Sequence, residues 1–290
     1  MTTGLTARLR RLSAPPAAPP VVVIQPHRRT SLLPRELLRS RELLYFLTLR
    51  DIKVRYKQTA LGVAWAVLQP LLTMLVFAVF FGRLARVPSD GVPYPVFALC
   101  GLVPWIFFAN TVQSTSLSLV TNANLLNKIY FPRITIPIAA VAAGVVDLLV
   151  SLAVLFGYAA FAGLVIGPRL LLVPVLVVLS ALAVLGVGSW LAALNVVYRD
   201  VRHAVPFLLQ LWLVVTPVAY PSSLLSEPWR SLYALNPMAG VVEGFRWALL
   251  DVPGTGVGRL LAISSASTAI LLGYGLYAFH RREPTFADVV

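Results

Sequence analysis

Charge is what this 290-residue chain has least of. Asp, Glu, Lys and Arg make up 12% of it, while 58% is hydrophobic and the mean hydropathy is +0.82. An average soluble domain is about 25% charged, so a soluble enzyme is excluded. Lysine is scarcer still: Lys53, Lys57 and Lys128 follow Ile, Tyr and Asn. A P-loop needs a Gly-Lys step, so the chain cannot cradle nucleotide phosphates in that way. Histidine is limited to His27, His203 and His280, all in segments read as cytoplasmic, and Asp147 is the one acid near the centre of an apolar run. A membrane enzyme or proton-coupled transporter needs more ionisable groups than that inside the bilayer. Asp147 either lines a path or accepts hydrogen bonds from Ser, Asn or Arg on a neighbouring helix. Cys100 is the single cysteine, which excludes an intrachain disulfide and a metal-thiolate cluster.

Long apolar runs are what the chain has instead, enough at about 20 residues per crossing for several spans and little else. No charge falls between Gln58 and Gly82, which predicts span one. Arg83 to Gly91 makes a short outer loop. The uncharged stretch from Gly91 to Asn127 is too long for one crossing; it holds span two near Pro95–Val120 and turns polar from Gln113. Residues 121–136, with Asn122, Asn124, Asn127, Lys128 and Arg133, read as an inner loop containing a short helix. Span three is expected at Pro137–Leu164 and span four at Leu170–Val197, followed by the compact basic turn Tyr198-Arg199-Asp200-Val201-Arg202-His203. Val205–Tyr220, short and holding Pro206 and Pro217, reads as span five. Pro221–Gly258 is too amphipathic to cross and too apolar for a loop. Two short helices dipping into the outer leaflet fit it, since irregular backbone is tolerated there when protein or water shields it. Span six is expected at Leu260–Phe279, with a polar tail from His280.

The few charges are unevenly placed. Residues 1–57 hold 12 of the 24 Lys/Arg and 3 of the 11 Asp/Glu. Ahead of a run of spans, such a block reads as an arm attracted to anionic lipid, not as a nucleic-acid site. Residues 1–34 contain six prolines and lack the apolar stretch of a secretory leader, so the N-terminus is expected in the cytoplasm. Residues 35–57 read as an amphipathic helix. Arg35, Arg39, Glu42, Arg50, Lys53 and Lys57 form one stripe, with Phe46 as the exception. Leu44, Tyr45, Leu49, Ile52 and Tyr56 fill the other side, while Arg41, Asp51 and Arg55 fall among the apolar residues. A helix of this kind lies in the headgroup plane or packs on a partner. Six crossings put 18 Lys/Arg inside against 6 outside, an asymmetry that rests on the arm.

The predicted fold class is therefore all-α integral membrane: six transmembrane helices, an N-terminal amphipathic interface helix, and two short re-entrant helices before the last span. By residue, the organisation is a disordered cytoplasmic tail (1–34), the interface helix (35–57), the six-span domain (58–280) and a cytoplasmic tail (281–290). Aromatic side chains supply a further signal. An interfacial belt accounts for Trp229 and Tyr233. The sharper reading is that other rings line a path, because sugar C–H faces stack on aromatics and slide along them. On that reading the candidate lining is Phe77, Phe80, Phe81, Trp105, Phe108, Trp212, Tyr220 and Trp247.

Four stretches, in order, carry a resemblance. The first is Arg50-Asp51-Ile52-Lys53-Val54-Arg55-Tyr56-Lys57-Gln58-Thr59-Ala60-Leu61-Gly62, with Trp65 and Gln69-Pro70. The second is Asn124-Leu125-Leu126-Asn127-Lys128-Ile129-Tyr130-Phe131-Pro132-Arg133. Leu194-Asn195-Val196-Val197-Tyr198-Arg199-Asp200-Val201 follows, then Leu235-Asn236-Pro237-Met238 with Glu243-Gly244-Phe245-Arg246-Trp247. Across residues 41–280 the chain resembles the membrane subunits of type-2 ABC exporters for polysaccharides. The resemblance implies a permease that pairs with a second copy and with two copies of an ABC ATPase subunit. ATP and Mg would sit on that ATPase, with no cofactor or metal on this chain. It also implies that Arg50, Asp51, Lys53, Arg55, Tyr56 and Lys57 belong to a helix at the inner membrane face. The loop at 122–133 becomes the coupling helix, with Asn124, Leu125, Asn127, Lys128, Tyr130, Phe131, Pro132 and Arg133 toward the ATPase. Arg199, Asp200 and Arg202 become a second contact, and the outer helices at 222–258 shape the exit.

The expected function is the permease subunit of an ATP-driven exporter that moves a lipid-linked polysaccharide (O-antigen, capsule or teichoic-acid-like) across the plasma membrane, with no enzymatic activity of its own. A same-fold exporter of a smaller lipid or drug is the alternative, and would show a compact pocket in place of a continuous path. A membrane glycosyltransferase or acyltransferase would need an acidic or histidine constellation near one face, which the sequence lacks.

Overall fold

The computed structural model describes residues 40–57, 64–128, 131–163, 167–250 and 256–286. The expected tail at 1–34, the first residues of the 35–57 helix, the start of span one at 58–63, Tyr130 and the last residues 287–290 lie outside the described residues. Among the described residues the chain is helical, with no strand.

Helix α1 covers Arg41–Lys57, and α2 runs Ala64–Phe77 before widening into π-type turns over Ala78–Leu84. Helix α3 is Tyr94–Thr121, with Pro95 in its first turn, where a missing N–H costs nothing. The six-residue α4, Ala123–Lys128, is the short helix expected between spans two and three. Helix α5 is Thr135–Phe161, and α6 is Val173–Val197, entered through a 3₁₀ turn at Pro168–Leu172. Then come α7 (Val201–Val215), α8 (Trp229–Tyr233), α9 (Pro237–Leu250) and α10 (Val257–Arg282). Helices α2 with its extension, α3, α5, α6 with its entry turn, and α10 are long and apolar enough to cross a membrane.

Helix α7 is different. It starts at Val201, earlier than expected, so Arg202 and His203 belong to its first turn and not to a loop. Fifteen residues at 1.5 Å each rise about 22 Å, short of the roughly 30 Å of a hydrocarbon core. Helical backbone ends at Val215, and Pro217, lacking an N–H, sits in the turn that follows.

Helix α3 occupies the centre, packed by α2, α5, α6, α7 and α9, and it is buried along most of its length. Helices α6 and α10 cross with backbone against backbone. A Cβ on Gly186 would meet the Leu272 backbone nitrogen at 2.7 Å, and one on Gly275 would collide with the Gly186 carbonyl. Helix α9 is buried over nearly its whole length, more a core helix than an amphipathic one. At the α4 end of the bundle lies a second apolar core. Leu47 of α1, Leu126 of α4, Phe131, Ile134, Val196 and Phe279 meet there. Phe286 inserts into the same core with no exposed surface, so the C-terminal stretch expected as a tail is folded back as far as that residue.

Candidate functional site

Asp147 stands halfway along α5, and α1 supplies its partners. The Arg55 guanidinium donates to Oδ2 and the Tyr56 hydroxyl donates to Oδ1. This settles the irregular stripe on α1. Leu47 and Asp51 share the packed side of the helix with Arg55, because Arg55 has a carboxylate to meet there. Tyr45, expected on the apolar side, is exposed beside Phe46, Lys53, Val54 and Lys57. With Leu47 in the core at the α4 end and Arg55 at the middle of α5, α1 packs along the first half of α5. Burial raises the Tyr56 phenol above its ordinary value against the opposing Arg55 charge, so the hydroxyl stays a donor at neutral pH.

Beside this pair opens a cleft of about 780 Å³ between α1, α2, α3 and α5. Its polar wall comes from Gln69 on α2 and from Asn110, Gln113 and Ser114 on α3. Positions 110, 113, 114 and 117 step by threes and fours, so they share one face of α3 in the half of that helix nearer α4. Asn110 Nδ2 donates to Gln69 Oε1 at a long 3.3 Å, which leaves most of both amides unspent. Trp65, 54% exposed, opens onto the same space, and Ile106, Phe107 and Leu148 give it apolar surface. The polar turn of the sequence after Gln113 was the available signal for this stripe. Trp65 and Gln69 were visible only as part of the first matching stretch, with no role attached.

The aromatic candidates are dispersed. Trp105 and Phe108 are buried in the core, ring centroids 5.6 Å apart. Phe108 packs edge-on against Trp212 at 5.1 Å, and Trp212 Nε1 donates to Asn236 Oδ1 at 3.0 Å. Phe77 and Phe81 pair at 5.1 Å on the extended end of α2, where Phe80 and Phe81 are exposed. The Tyr220 hydroxyl donates to the Val214 carbonyl and meets that of Tyr233. Trp247 lies under the Arg169 guanidinium, 5.0 Å from the ring centroid. None of the eight lines the cleft.

At the α4 end the expected coupling residues divide by face. Asn124 and Lys128 are exposed and Leu125 is half-buried, whereas Leu126 and Phe131 enter the second core. Pro132 and Arg133 are half-buried. The Asn127 side chain and Tyr130 lie outside the described residues. Arg133 turns to the C-terminal stretch: its guanidinium donates to the Glu283 carbonyl, and its backbone N–H approaches Glu283 Oε1 at 3.4 Å. Arg199, Asp200 and Arg202 are exposed just beyond Val196, so they stand at the same end. Among the described residues, no group of three His, Cys, Asp or Glu side chains comes together to hold a metal.

The described parts of the four stretches thus fall at one central anchor, one bundle end and the break after α7. Residues 42–250 match the ABC-2 type transporter model. The chain belongs to the ABC-2 type transporter family. It is 33% identical, over 89% of its length and 99% of the relative's, to the O-antigen export system permease protein RfbA of Myxococcus xanthus. It is 29% identical to the Klebsiella pneumoniae protein of the same name, over 86% of this chain and 95% of that one. Identity to the polysialic acid transport protein KpsM of Escherichia coli is 26%, over 82% and 92%. An ABC-2 family permease is a multi-pass membrane subunit, and the five long apolar helices among the described residues accord with that.

Proposed function

We propose that this ABC-2 family chain is the membrane subunit of a polysaccharide exporter. It would work as one of two copies, with two copies of an ABC ATPase subunit that bind and hydrolyse ATP with Mg. The observation that carries this reading is the outward-facing polar stripe on α3. An amide without partners costs about 4–8 kcal/mol in a hydrocarbon-like medium, so Gln113 and the groups of Asn110 left over from its long bond to Gln69 call at membrane depth for water or a hydroxyl-rich ligand. The named relatives act on O-antigen or polysialic acid, and a lipid-linked glycan fits a stripe of amides beside an indole.

In this reading α7 is the short fifth of six spans, and α8 and α9 are the re-entrant pair near the exit. Both termini are cytoplasmic at the plasma (inner) membrane. Helix α1, with Arg50, Asp51, Lys53, Arg55, Tyr56 and Lys57, is the interface element, its exposed cations and rings toward lipid. Asn124, Leu125 and Lys128 face the ATPase, joined by Arg199, Asp200 and Arg202, with Asn127 and Tyr130 as the further coupling residues of the same stretch, while Phe131, Pro132 and Arg133 tie that surface to the bundle. ATP binding shifts the permease only by the difference in ATPase affinity for its open and closed forms. Of the aromatic candidates for lining a path, Phe80 and Phe81 are exposed and Phe77, Trp212, Tyr220 and Trp247 half-buried; Trp105 and Phe108 would have to leave the core to do so.

A smaller lipid or drug is the second reading, favoured by the cleft volume, which falls within the range for drug-sized ligands. Depleting the protein and measuring lipid-linked glycan inside the cell against glycan outside separates the two. Internal accumulation with external loss supports polysaccharide export. Unchanged surface glycan, in a strain with no redundant exporter, overturns it and leaves the small-lipid reading.

A further inference from the structure

We infer that the cleft is a subsite for an uncharged sugar segment, and that Asp147 sets this selectivity by cancelling the charge of Arg55. The inference rests on the export reading and adds to it the electrical character of the cargo.

The chemistry of the lining suits a polyol. Each amide of Gln69, Asn110 and Gln113 offers an acceptor oxygen beside two N–H donors, the pattern that adjacent sugar hydroxyls complement. Ser114 adds a hydroxyl, and the exposed Trp65 ring offers a face for sugar C–H groups.

The electrostatics are the less expected part. Arg55 and Asp147 are the two charged residues lining the cleft, and they neutralise each other. Both carboxylate oxygens are engaged, one by Arg55 and one by Tyr56. Helix α3 carries no Asp, Glu, Lys, Arg or His, and no charge occurs anywhere from Gln58 to Gly82. The remaining cations of α1 are directed elsewhere, beginning with Arg41, exposed at the far end of the helix and absent from the cleft lining. Arg50 pairs with Asp51 at 2.8 Å, and Lys53 and Lys57 line a separate groove with Phe46 and Val54 on the exposed face. A carboxylate-bearing sugar would therefore lose its water in the cleft and find no free cation among the described residues that line it, a large uncompensated cost. A neutral sugar meets no such penalty.

The test uses the full-length chain assembled with its ATPase in lipid nanodiscs, titrated with maltoheptaose and with heptagalacturonate at fixed ionic strength. Maltoheptaose is expected to bind at least about ten-fold more tightly, a gap of about 1.4 kcal/mol. Asp147→Asn frees the Arg55 charge and should shift the ratio about ten-fold toward the uronate. The double variant Arg55→Gln/Asp147→Asn lacks the same anchor but restores neutrality, so it should return the preference to maltoheptaose. Asn110→Leu/Gln113→Leu, which leaves the anchor intact, should weaken maltoheptaose at least about five-fold. Uronate binding as tight as maltoheptaose in the unmodified complex overturns the inference, as does a ratio unmoved by Asp147→Asn. Maltoheptaose affinity unchanged in Asn110→Leu/Gln113→Leu, or binding of neither oligosaccharide, overturns it as well. Export itself is decided separately by the depletion experiment, so the two can fail independently.

Discussion

Arg246 Nη2 donates to the carbonyl of Val218 at 2.7 Å, joining α9 to the backbone that breaks off after α7. The same guanidinium reaches the Pro217 carbonyl at 2.6 Å and Glu243 Oε1 at 3.1 Å, and it lies 3.6 Å over the Phe97 ring of α3. Glu243 in turn accepts the Ser222 backbone N–H at 3.0 Å. One planar cation thus satisfies carbonyls that an unwound segment would otherwise leave bare inside the bundle, which explains why a charge is buried there at all.

Removing that cation should be costly. Breaking one side of a buried pair typically loses about 3–5 kcal/mol, because the other charge stays behind unpaired. Arg246→Met is expected to lower the thermal unfolding midpoint of the purified permease sharply. Arg246→Lys should recover only part of the loss, since a point ammonium cannot span the Pro217, Val218 and Glu243 acceptors together. Equal midpoints for Arg246→Met and the unmodified protein would show that the clamp contributes nothing.

Phe286 tests the second core. Its ring packs edge-on against Phe279, centroids 5.2 Å apart, with no exposed surface. Truncating a buried Phe to Ala costs roughly 3–5 kcal/mol. Because Leu126, Phe131 and Ile134 share that core, Phe286→Ala should speed protease cleavage at residues 123–134 more than in the loop between α2 and α3. Uniform cleavage rates would argue that the C-terminal stretch does not brace α4.

At the α6–α10 crossing, backbone meets backbone because neither partner glycine has a Cβ. Gly275→Leu must push the helices apart, because the clash is already at Cβ whatever the rotamer, an overpacking cost of about 1–3 kcal/mol or more. Gly273, which faces open space on the same helix, serves as the control: Gly273→Ala is expected to leave the unfolding midpoint unchanged or slightly raised. A midpoint for Gly275→Leu equal to that of the control would mean the crossing is loose.

Much of this architecture was legible in the residues, and the misses share a cause. The long helices follow from charge-free runs, and α4 from a polar loop with a short helical pattern. Hydropathy says that a residue leaves water but not what it packs against. Trp105 and Phe108 therefore read as path-lining rings when α3 is the buried centre of the bundle. Conversely, Arg55 looked misplaced on α1 because its partner, Asp147, lies 92 residues away in sequence. The cleft depends on residues from α1, α2, α3 and α5 sharing one space, a relation that spacing within α3 alone does not reveal. The inward fold of Glu283 and Phe286 was hidden because a short polar stretch gives no sign that one phenylalanine fills a hole.

The coupling role proposed for α4 can be tested apart from its structural role, because its two faces carry different residues. Asn124 and Lys128, four apart, share the exposed face, whereas Leu126 is buried. Surface substitutions away from partners usually change stability by no more than about 0.5 kcal/mol, so Lys128→Glu should leave the permease's unfolding midpoint in place. If this face meets the ATPase, the same change should reduce the ATPase recovered with the permease and lower ATP hydrolysis per complex. Leu126→Ala should do the reverse, destabilising the permease by about 2–5 kcal/mol before it alters the contact. Normal ATPase recovery with Lys128→Glu and with Asn124→Glu would move the docking surface off α4. Exposed Arg199, Asp200 and Arg202, at the same end of the bundle, would then be the next surface to test.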